Sequence, residues 1–154
     1  MSRLAFITFI ALISPAAAQD IIGQATVLDG DTIEIHGQRV RLWGIDAPES
    51  DQLCRDSDSN LYRCGSVAAL ALADHIAGRV VTCLPRATDR YRRVVAVCMA
   101  GGVDLARWLV GAGLALDWPQ YSRGTYSRIT CTLLGHRIDI PGRALMRLAR
   151  FSPH

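Results

Sequence analysis

Three short clusters of the sequence combine acids and arginines in a way that could hydrolyse a phosphodiester bond. They are VLDGDTIEI at Val27–Ile35, RVRLWGIDAPES at Arg39–Ser50, and TDRYRRVVAV at Thr88–Val97. Two carboxylates and a backbone carbonyl form a hard-oxygen site that suits Ca²⁺. A metal ion and two guanidiniums stabilise the charge that grows on the phosphoryl oxygens, and a further carboxylate can orient or deprotonate the attacking water.

Each cluster taken alone also has an ordinary structural explanation. The first reads as a turn, since Asp-Gly is a common hairpin dipeptide; the second reads as a proline turn with solvated acids, and the third as a charged hairpin loop. Together they favour a site, because Asp31, Asp46 and Glu49 lie at the ends of predicted strands or just beyond. Arg41 lies on the strand that leads to Asp46, and Arg93 opens the last predicted strand.

The elements that must position these residues are short strands and two helices. Runs rich in Val, Ile and Thr predict five strands: Gly23–Leu28, Asp31–His36, Arg39–Gly44, Arg79–Leu84 and Arg93–Met99. Helices are predicted over Ser66–Ala77 and, after Asp104 as N-cap, over Leu105–Ala112. The polar segment Asp51–Arg63 predicts an irregular loop. Five short strands with a helix between the third and the fourth favour a small closed barrel, so the predicted class is α+β, mainly β.

The start of the chain has the features of a secretory signal. Residues 1–18 contain one arginine, a short apolar run and the small residues Ala16-Ala17-Ala18 before a cleavage point. The apolar run, about 10 residues, is short against the roughly 20 that a retained membrane anchor needs. We therefore expect a secreted or periplasmic protein with no membrane attachment after cleavage. Half of the residues are hydrophobic and 20% are charged, which excludes a disordered chain.

The five cysteines fit export, because an oxidising compartment permits disulfides. Cys83 and Cys98 lie in two adjacent predicted strands, and Cys54 and Cys64 bracket the polar loop. We predict these two disulfides, which leaves Cys131 without a partner in the chain. No C-x-x-C spacing is present, so a zinc site is not expected.

In their order and spacing, the three clusters resemble the staphylococcal (micrococcal) nuclease family, and the resemblance extends from about Ile22 to Tyr121. It implies a five-stranded OB-fold barrel with two to three packed helices over residues 19–122. It also implies a Ca²⁺-dependent endonuclease that cleaves DNA and RNA with little sequence specificity and leaves 3′-phosphate ends. We expect a monomer without a protein partner.

The resemblance implies roles for the acids of the first two clusters. By motif, Asp31 and Asp46 resemble the Ca²⁺ carboxylate ligands, and the backbone carbonyl of Ala47 takes the place of a third ligand. The family often has Thr at that position, but a backbone ligand is available from Ala as well. Glu49 resembles the catalytic carboxylate, as base or as water-orienting group, and Asp29 resembles an acid near the metal.

The same comparison implies roles for basic and aromatic residues. Arg41 and Arg93 resemble the two phosphate-binding arginines, and Tyr91 and Tyr121 resemble aromatic residues near the nucleotide pocket. Arg92 departs from the pattern, because the family commonly has Gly before its catalytic arginine. Since Gly often marks an unusual backbone angle, Arg92 either shifts the loop, has no effect, or adds a phosphate contact.

The C-terminal segment departs further. The family usually ends in a long Ala/Glu-rich helix, but residues 124–154 contain no Glu, and residues 119–154 carry six arginines against one acid. We treat 123–154 as a divergent basic tail, explained either by a changed reading frame near Tyr126 or by genuine divergence. The alternatives to a nuclease are a non-catalytic OB-fold module that binds nucleic acid and a truncated gene product that folds poorly.

Overall fold

The computed structural model describes residues 19–55, 58–127, 131–133 and 136–138. The predicted signal over 1–18 and most of the predicted tail lie outside these residues. Within the described ranges, no helix has the length and apolarity that crossing a membrane requires.

The described part of the chain consists mainly of short strands, with three helices. In chain order these are β1 (Ile21–Asp29), β2 (Thr32–Ile35), β3 (Gln38–Leu42), β4 (Ile45–Asp46), β5 (Cys54–Arg55), β6 (Leu61–Tyr62), α1 (Cys64–Ile76), β7 (Val80–Thr88), β8 (Val94–Ala100), β9 (Val103–Asp104), α2 (Leu105–Gly111), β10 (Leu116–Asp117), α3 (Pro119–Ser122), β11 (Cys131–Leu133) and β12 (His136–Ile138). The five predicted strands and both predicted helices are present, with ends that differ by a few residues.

Five strands close into a barrel. Antiparallel pairing joins β3 to β2, β2 to β1, β1 to β7 and β7 to β8, and a parallel pairing of β3 with β8 completes the ring. Strand β9 pairs with β8 outside the ring as a sixth strand. The predicted small OB-fold barrel is therefore confirmed, and its closure brings the second and third sequence clusters side by side.

A bulge and a tight turn shape the first sequence cluster. The register of β1 against β2 shifts between Val27 and Asp29, so the strand bends where Asp29-Gly30 predicts a turn. Gly30 lies where an added Cβ would approach the Cβ atoms of Ala47 and Ala68 to 2.9 and 3.0 Å. Glycine thus lets the turn before Asp31 pack closely against both the second cluster and α1.

The two longer helices cover the barrel. Helix α1 buries Ala68, Leu72 and Ile76, and α2 buries Leu105 and Leu109 together with their neighbours. The inward side chains of the barrel complete the core, chiefly Ile33, Ile35, Val40, Leu42, Val81, Ala96 and Ala100. As predicted, the carboxylate of Asp104 caps α2, because it accepts hydrogen bonds from the amides of Ala106 and Arg107.

The prediction of an irregular loop over Asp51–Arg63 is wrong in part. Strands β5 and β6 pair antiparallel within it, and the Cys54–Cys64 disulfide closes its base with a Cα separation of 5.5 Å. The polar composition of this segment does not predict that the two short strands pair. Both predicted disulfides are present; Cys83 and Cys98 lie directly opposite each other on β7 and β8.

The core extends past residue 122. Tyr126 is buried, with its ring edge-on to Trp43 at 6.1 Å between ring centres. Its hydroxyl donates a hydrogen bond of 3.0 Å to Asp104 Oδ2. Burial, followed by the nearby Asp104 carboxylate, raises the pKa of the Tyr126 hydroxyl, so it stays a donor at neutral pH. A side chain from the predicted tail region thus helps to cover α2.

Candidate active site

Arg41 joins two of the predicted acidic residues. Its Nη2 lies 2.8 Å from Asp31 Oδ2 and 2.8 Å from Asp46 Oδ1. Arg41 is on β3, Asp31 is in the turn before β2, and Asp46 ends β4, so three separate elements deliver the three charges. The amide of Leu42 donates to the carbonyl of Asp31 at 2.8 Å, which fixes the turn against β3.

Asp31 is the most buried acid of this group. Burial raises the pKa of its carboxyl group, and the charge of Asp46 acts in the same direction, whereas Arg41 and the Thr32 hydroxyl lower it. The Thr32 hydroxyl donates to Asp31 Oδ1 at 2.8 Å. Arg41 supplies one positive charge to the carboxylates of Asp31 and Asp46, and a bound cation would neutralise the pair further.

The donor chemistry fits Ca²⁺ with a sparse set of protein ligands. Asp31 and Asp46 both contact the same guanidinium nitrogen of Arg41. Ala47, the next residue in the chain after Asp46, is buried. No cluster of three or more His, Cys, Asp or Glu side chains suited to a metal occurs in the described ranges. Since Ca²⁺ takes 6–8 oxygen ligands, two carboxylates and one carbonyl would leave several positions for water and for phosphate oxygens.

Glu49 lies in the loop after β4 and is exposed. Its carboxyl group hydrogen-bonds with that of Asp29, and this bond, followed by partial burial and by the charges of Asp29 and Asp31, raises the pKa of Glu49 to about 6. The Ser50 hydroxyl also donates to Asp29, at Oδ1. A carboxylate with a pKa nearer neutrality is a better proton acceptor at the working pH than an unperturbed one.

Arg93 is held by an acid of its own loop. Asp89 Oδ2 accepts from Arg93 Nε at 2.8 Å, while Asp89 Oδ1 accepts from the amides of Tyr91 and Arg93, both at 2.9 Å. Arg93 Nη1 reaches Thr32 Oγ1 at 3.4 Å. Since Thr32 also donates to Asp31, a continuous hydrogen-bond path links the third sequence cluster to the first.

Arg92 adopts the backbone conformation that Gly would favour. Its φ is 64°, in the left-handed region that residues other than Gly, Asn and Asp rarely adopt. Its amide donates to the carbonyl of Asp89 at 3.1 Å, and the amide of Asp89 in turn bonds to the carbonyl of Arg93. The turn is therefore formed despite the side chain, and Arg93 keeps its contacts with Asp89.

An open groove of about 520 Å³ lies beside these residues. Arg41 and Arg93 line it, and so do Tyr91 and Tyr121, the two aromatic residues that the family resemblance implies near a nucleotide pocket. Trp118 also lines the groove and is not among the residues predicted from the sequence. Its place directly before Pro119, which begins α3, was the feature that could have indicated it. The rings lie near the cations: Arg41 is 5.9 Å from the ring centre of Trp118, and Arg93 is 5.4 Å from that of Tyr91.

A larger cavity of about 640 Å³ lies elsewhere on the barrel, and Ile22, His36 and Arg86 are among the residues that line it. None of the predicted catalytic or metal-binding residues lines this cavity. The groove that contains Arg41 and Arg93 is therefore the better candidate for the active site, although its volume is smaller.

Comparison with known proteins agrees with the fold, and the matched family model covers the second and third clusters. Residues 39–131 match the model of the family described as staphylococcal nuclease homologue. Succinoglycan biosynthesis protein ExoI of Rhizobium meliloti (strain 1021) is 47% identical over 113 residues, which are 72% of this chain. The chain spans 59% of the length of that relative. From the family match, the identity and the closed barrel together, this chain belongs to the staphylococcal nuclease homologue family.

Proposed function

We propose that the protein is an exported, Ca²⁺-dependent endonuclease that hydrolyses DNA and RNA with little sequence specificity and leaves 3′-phosphate ends. The observation that carries the proposal is the convergence of distant clusters: Arg41 bridges Asp31 and Asp46, and Arg93 reaches Asp31 through Thr32. A purely structural role would not require two arginines and three acids at one rim of the barrel. Two disulfides support export to an oxidising compartment.

Asp31, Asp46 and the carbonyl of Ala47 are the residues that would hold Ca²⁺. When bound, the ion supplies Lewis-acid stabilisation of charge on the phosphoryl oxygens. The protein's own contribution is to keep two carboxylates close together at one rim, with Asp31 buried and oriented by Thr32.

The two arginines and Glu49 carry the rest of the proposed reaction. The guanidinium groups of Arg41 and Arg93 bind non-bridging phosphate oxygens, for which their planar donor fork is suited. Glu49, ionised above a pKa of about 6, accepts a proton from the attacking water. The water oxygen bonds to phosphorus, the bond from phosphorus to the 5′ oxygen breaks, and that oxygen leaves as a hydroxyl after taking up a proton from solvent.

The aromatic rings of the groove account for broad substrate use. Tyr91, Trp118 and Tyr121 are exposed beside the two arginines. Stacking of bases on aromatic rings tolerates any sequence, and phosphate contacts carry no sequence information. Single strands and frayed ends, whose bases are free to stack, are therefore the expected substrates.

The test is digestion of single-stranded DNA by purified residues 19–154 with Ca²⁺ or with excess chelator. Cleavage should require Ca²⁺, and Glu49→Gln or Arg41→Gln should lower kcat by about 10²- to 10⁴-fold. Arg39→Gln is the matched control, since Arg39 is on the same strand but its side chain is 67% exposed. Equal losses in Arg39→Gln and Arg41→Gln would contradict the assignment.

A folded protein that binds single-stranded DNA without cutting it would also contradict the proposal, and would favour a non-catalytic binding module. Circular dichroism and a cooperative urea transition must accompany the assay, so that an unfolded sample is recognised as such. The name of the relative refers to succinoglycan biosynthesis, so the proposed reaction relies on the geometry of this chain's site.

A further inference from the structure

We propose that the Cys54–Cys64 disulfide is a redox-sensitive device that positions Glu49, so that the enzyme is active when this bond is formed and slow when it is reduced. The proposal rests on the proposed function, because it assigns Glu49 a part in cleavage. It concerns the segment 49–54, which we call the base loop.

The base loop lies directly on the first turn of α1. The amide of Gly65 donates to the carbonyl of Gln52 at 3.4 Å, and the Ser66 hydroxyl donates to the carbonyl of Ser50 at 2.9 Å. Gly65 approaches the loop so closely that an added Cβ would lie 1.6 Å from the carbonyl oxygen of Glu49. The position of Glu49 is therefore set by the position of the helix start.

The disulfide ties the end of the base loop to that same helix start. Cys54 ends the loop and Cys64 is the first residue of α1, so the bond joins the two surfaces that pack on each other. The sulfur of Cys64 lies 3.5 Å from the carbonyl oxygen of Gln52. Arg63, at the N-cap, makes no side-chain capping bond, so side-chain capping does not replace the covalent tether.

Apart from the disulfide, the described contacts of the base loop with its surroundings are hydrogen bonds: those to α1, and those from the Ser50 hydroxyl to the Leu28 carbonyl and to Asp29. Strands β5 and β6 have two residues each, and an isolated two-stranded ribbon is marginally stable at best. Within the loop, the amide of Gln52 donates to the carbonyl of Glu49 at 2.8 Å, and the Gln52 side chain accepts from the amide of Glu49 at 3.2 Å. These bonds maintain the loop's internal turn but do not attach it to α1.

The two disulfides differ in their access to solvent. Cys83 and Cys98 are 0% and 1% exposed inside the barrel, whereas Cys54 is partly exposed. A dithiol reductant therefore reaches the Cys54–Cys64 bond first. One thiolate of the reductant attacks Cys54 and breaks the sulfur–sulfur bond, and its second thiol resolves the mixed disulfide. The products are two cysteine thiols and the oxidised, cyclic reductant.

The consequence is a catalyst whose activity depends on compartment. In a reducing compartment the base loop loses its covalent tether and keeps only its hydrogen bonds to α1 and β1, so Glu49 is held less firmly beside the phosphate-binding arginines. Oxidation after export forms the bond and completes the site. Such a device would protect the nucleic acids of the producing cell before the protein leaves it.

The first arm of the test measures kcat and KM on single-stranded DNA with Ca²⁺, for the oxidised protein and for Cys54→Ser/Cys64→Ser. We expect kcat to fall at least about tenfold, since small misplacements of a catalytic group have large effects on rate. KM should stay within about twofold, because the arginines and aromatic rings are not affected. Cys83→Ala/Cys98→Ala is the control: it removes the other disulfide, and kcat at 25 °C should be retained.

The second arm uses dithiothreitol on the wild-type protein, with free thiols assigned by mass spectrometry, and follows amide hydrogen exchange. Exchange at Gly65, whose amide bonds α1 to the base loop, should accelerate when the Cys54–Cys64 bond opens, while the barrel amides of Leu42 and Trp43 keep their protection. Reoxidation should restore both kcat and protection.

The proposal is overturned if kcat is unchanged in the reduced protein, or if exchange at Gly65 does not respond. If the oxidised wild type itself does not cleave DNA, the proposed function fails, and the exchange arm still decides whether the disulfide fixes the base loop. The two failures are thus separable in one set of samples.

Discussion

At the scale of single residues, the orientation of each site side chain depends on hydrogen bonds that a sequence motif does not specify. Asp89 and Arg93 show this, because the acid holds both the side chain and the backbone amide of the arginine. Although burial acts in the opposite direction, the hydrogen bonds from Arg93 and Tyr91 lower the pKa of Asp89 below its ordinary 3.8. The carboxylate is therefore ionised in the folded protein and stabilises it at neutral pH.

Replacing Asp89 by Asn should change both catalysis and the pH dependence of stability. We expect kcat to fall about tenfold to a hundredfold, because Arg93 loses its charged partner. A depressed folded-state pKa gives stability that is present above the unfolded value and lost as the pH falls through the folded one. The stability difference between wild type and Asp89→Asn should therefore shrink below about pH 4. Urea unfolding from pH 7 down to pH 2 measures it, and a constant difference would contradict the assignment.

Arg92 stores backbone strain that Gly would release. Arg92→Gly should raise the free energy of unfolding by roughly 0.5–1 kcal/mol, since the strain removed exceeds the added entropy of the unfolded chain. Arg90→Gly is the control, because Arg90 has no positive φ, and it should be neutral or destabilising. Chemical denaturation distinguishes the two, and equal stabilisation by both changes would show that the strain is not at residue 92.

The candidate acids and arginines follow from the three clusters taken together, and their individual roles follow from the family resemblance. Their mutual contacts do not follow. The hydrogen bond between Glu49 and Asp29 requires knowledge of how the loop after β4 returns to the end of β1. The position of Trp118 in the groove depends on α3, a single helical turn that carries little periodicity of its own.

At the scale of elements, runs rich in Val, Ile and Thr predict the barrel strands well, since β-branched side chains suit a pleated surface with one buried face. The ribbon of β5 and β6 could not be predicted in this way, because its pairing depends on a disulfide and on the start of α1. Glycines at element junctions are a second case: Gly65 is ordinary in sequence, but it is the contact point between α1 and the base loop.

Gly65→Ala should move the base loop and lower kcat at least about tenfold, because a methyl group cannot coexist with the carbonyl of Glu49 in its present position. Gly78→Ala is a matched control at the other end of α1. Its φ of +68° makes Ala unfavourable, but no atom lies within 4 Å of the added carbon, so stability should fall by about 1 kcal/mol with kcat retained. Steady-state kinetics on both variants checks this, and a Gly65→Ala enzyme with full kcat would refute it.

At the scale of the whole molecule, the resemblance predicts the barrel topology, but it does not define how far the packed core extends. Tyr126 lies beyond the predicted end of the nuclease domain and is nevertheless buried against Trp43 and Asp104. The burial of Tyr126 could not be predicted from composition. The segment after residue 122 has the basic charge expected of a tail, and one aromatic residue forms no periodic pattern.

Tyr126→Ala should therefore lower the free energy of unfolding by about 3–5 kcal/mol, as expected for a large buried aromatic side chain. Tyr126→Phe, which removes the hydroxyl that donates to Asp104, should cost about 1 kcal/mol. Urea denaturation of the two variants gives both values. If the Ala variant were as stable as wild type, Tyr126 would not belong to the core.

The parallel pairing that closes the barrel has a consequence for how the candidate site is assembled during folding. It places Arg41 opposite Val95, beside the loop that carries Arg93, although the two arginines are far apart in the chain. Contacts of such long sequence separation form slowly. A chain emerging from the ribosome therefore has no complete candidate site until β8 has been synthesised and has docked on β3. In refolding experiments, nucleolytic activity should return with the slowest structural phase, later than the signal of the local β1–β2 and β2–β3 hairpins.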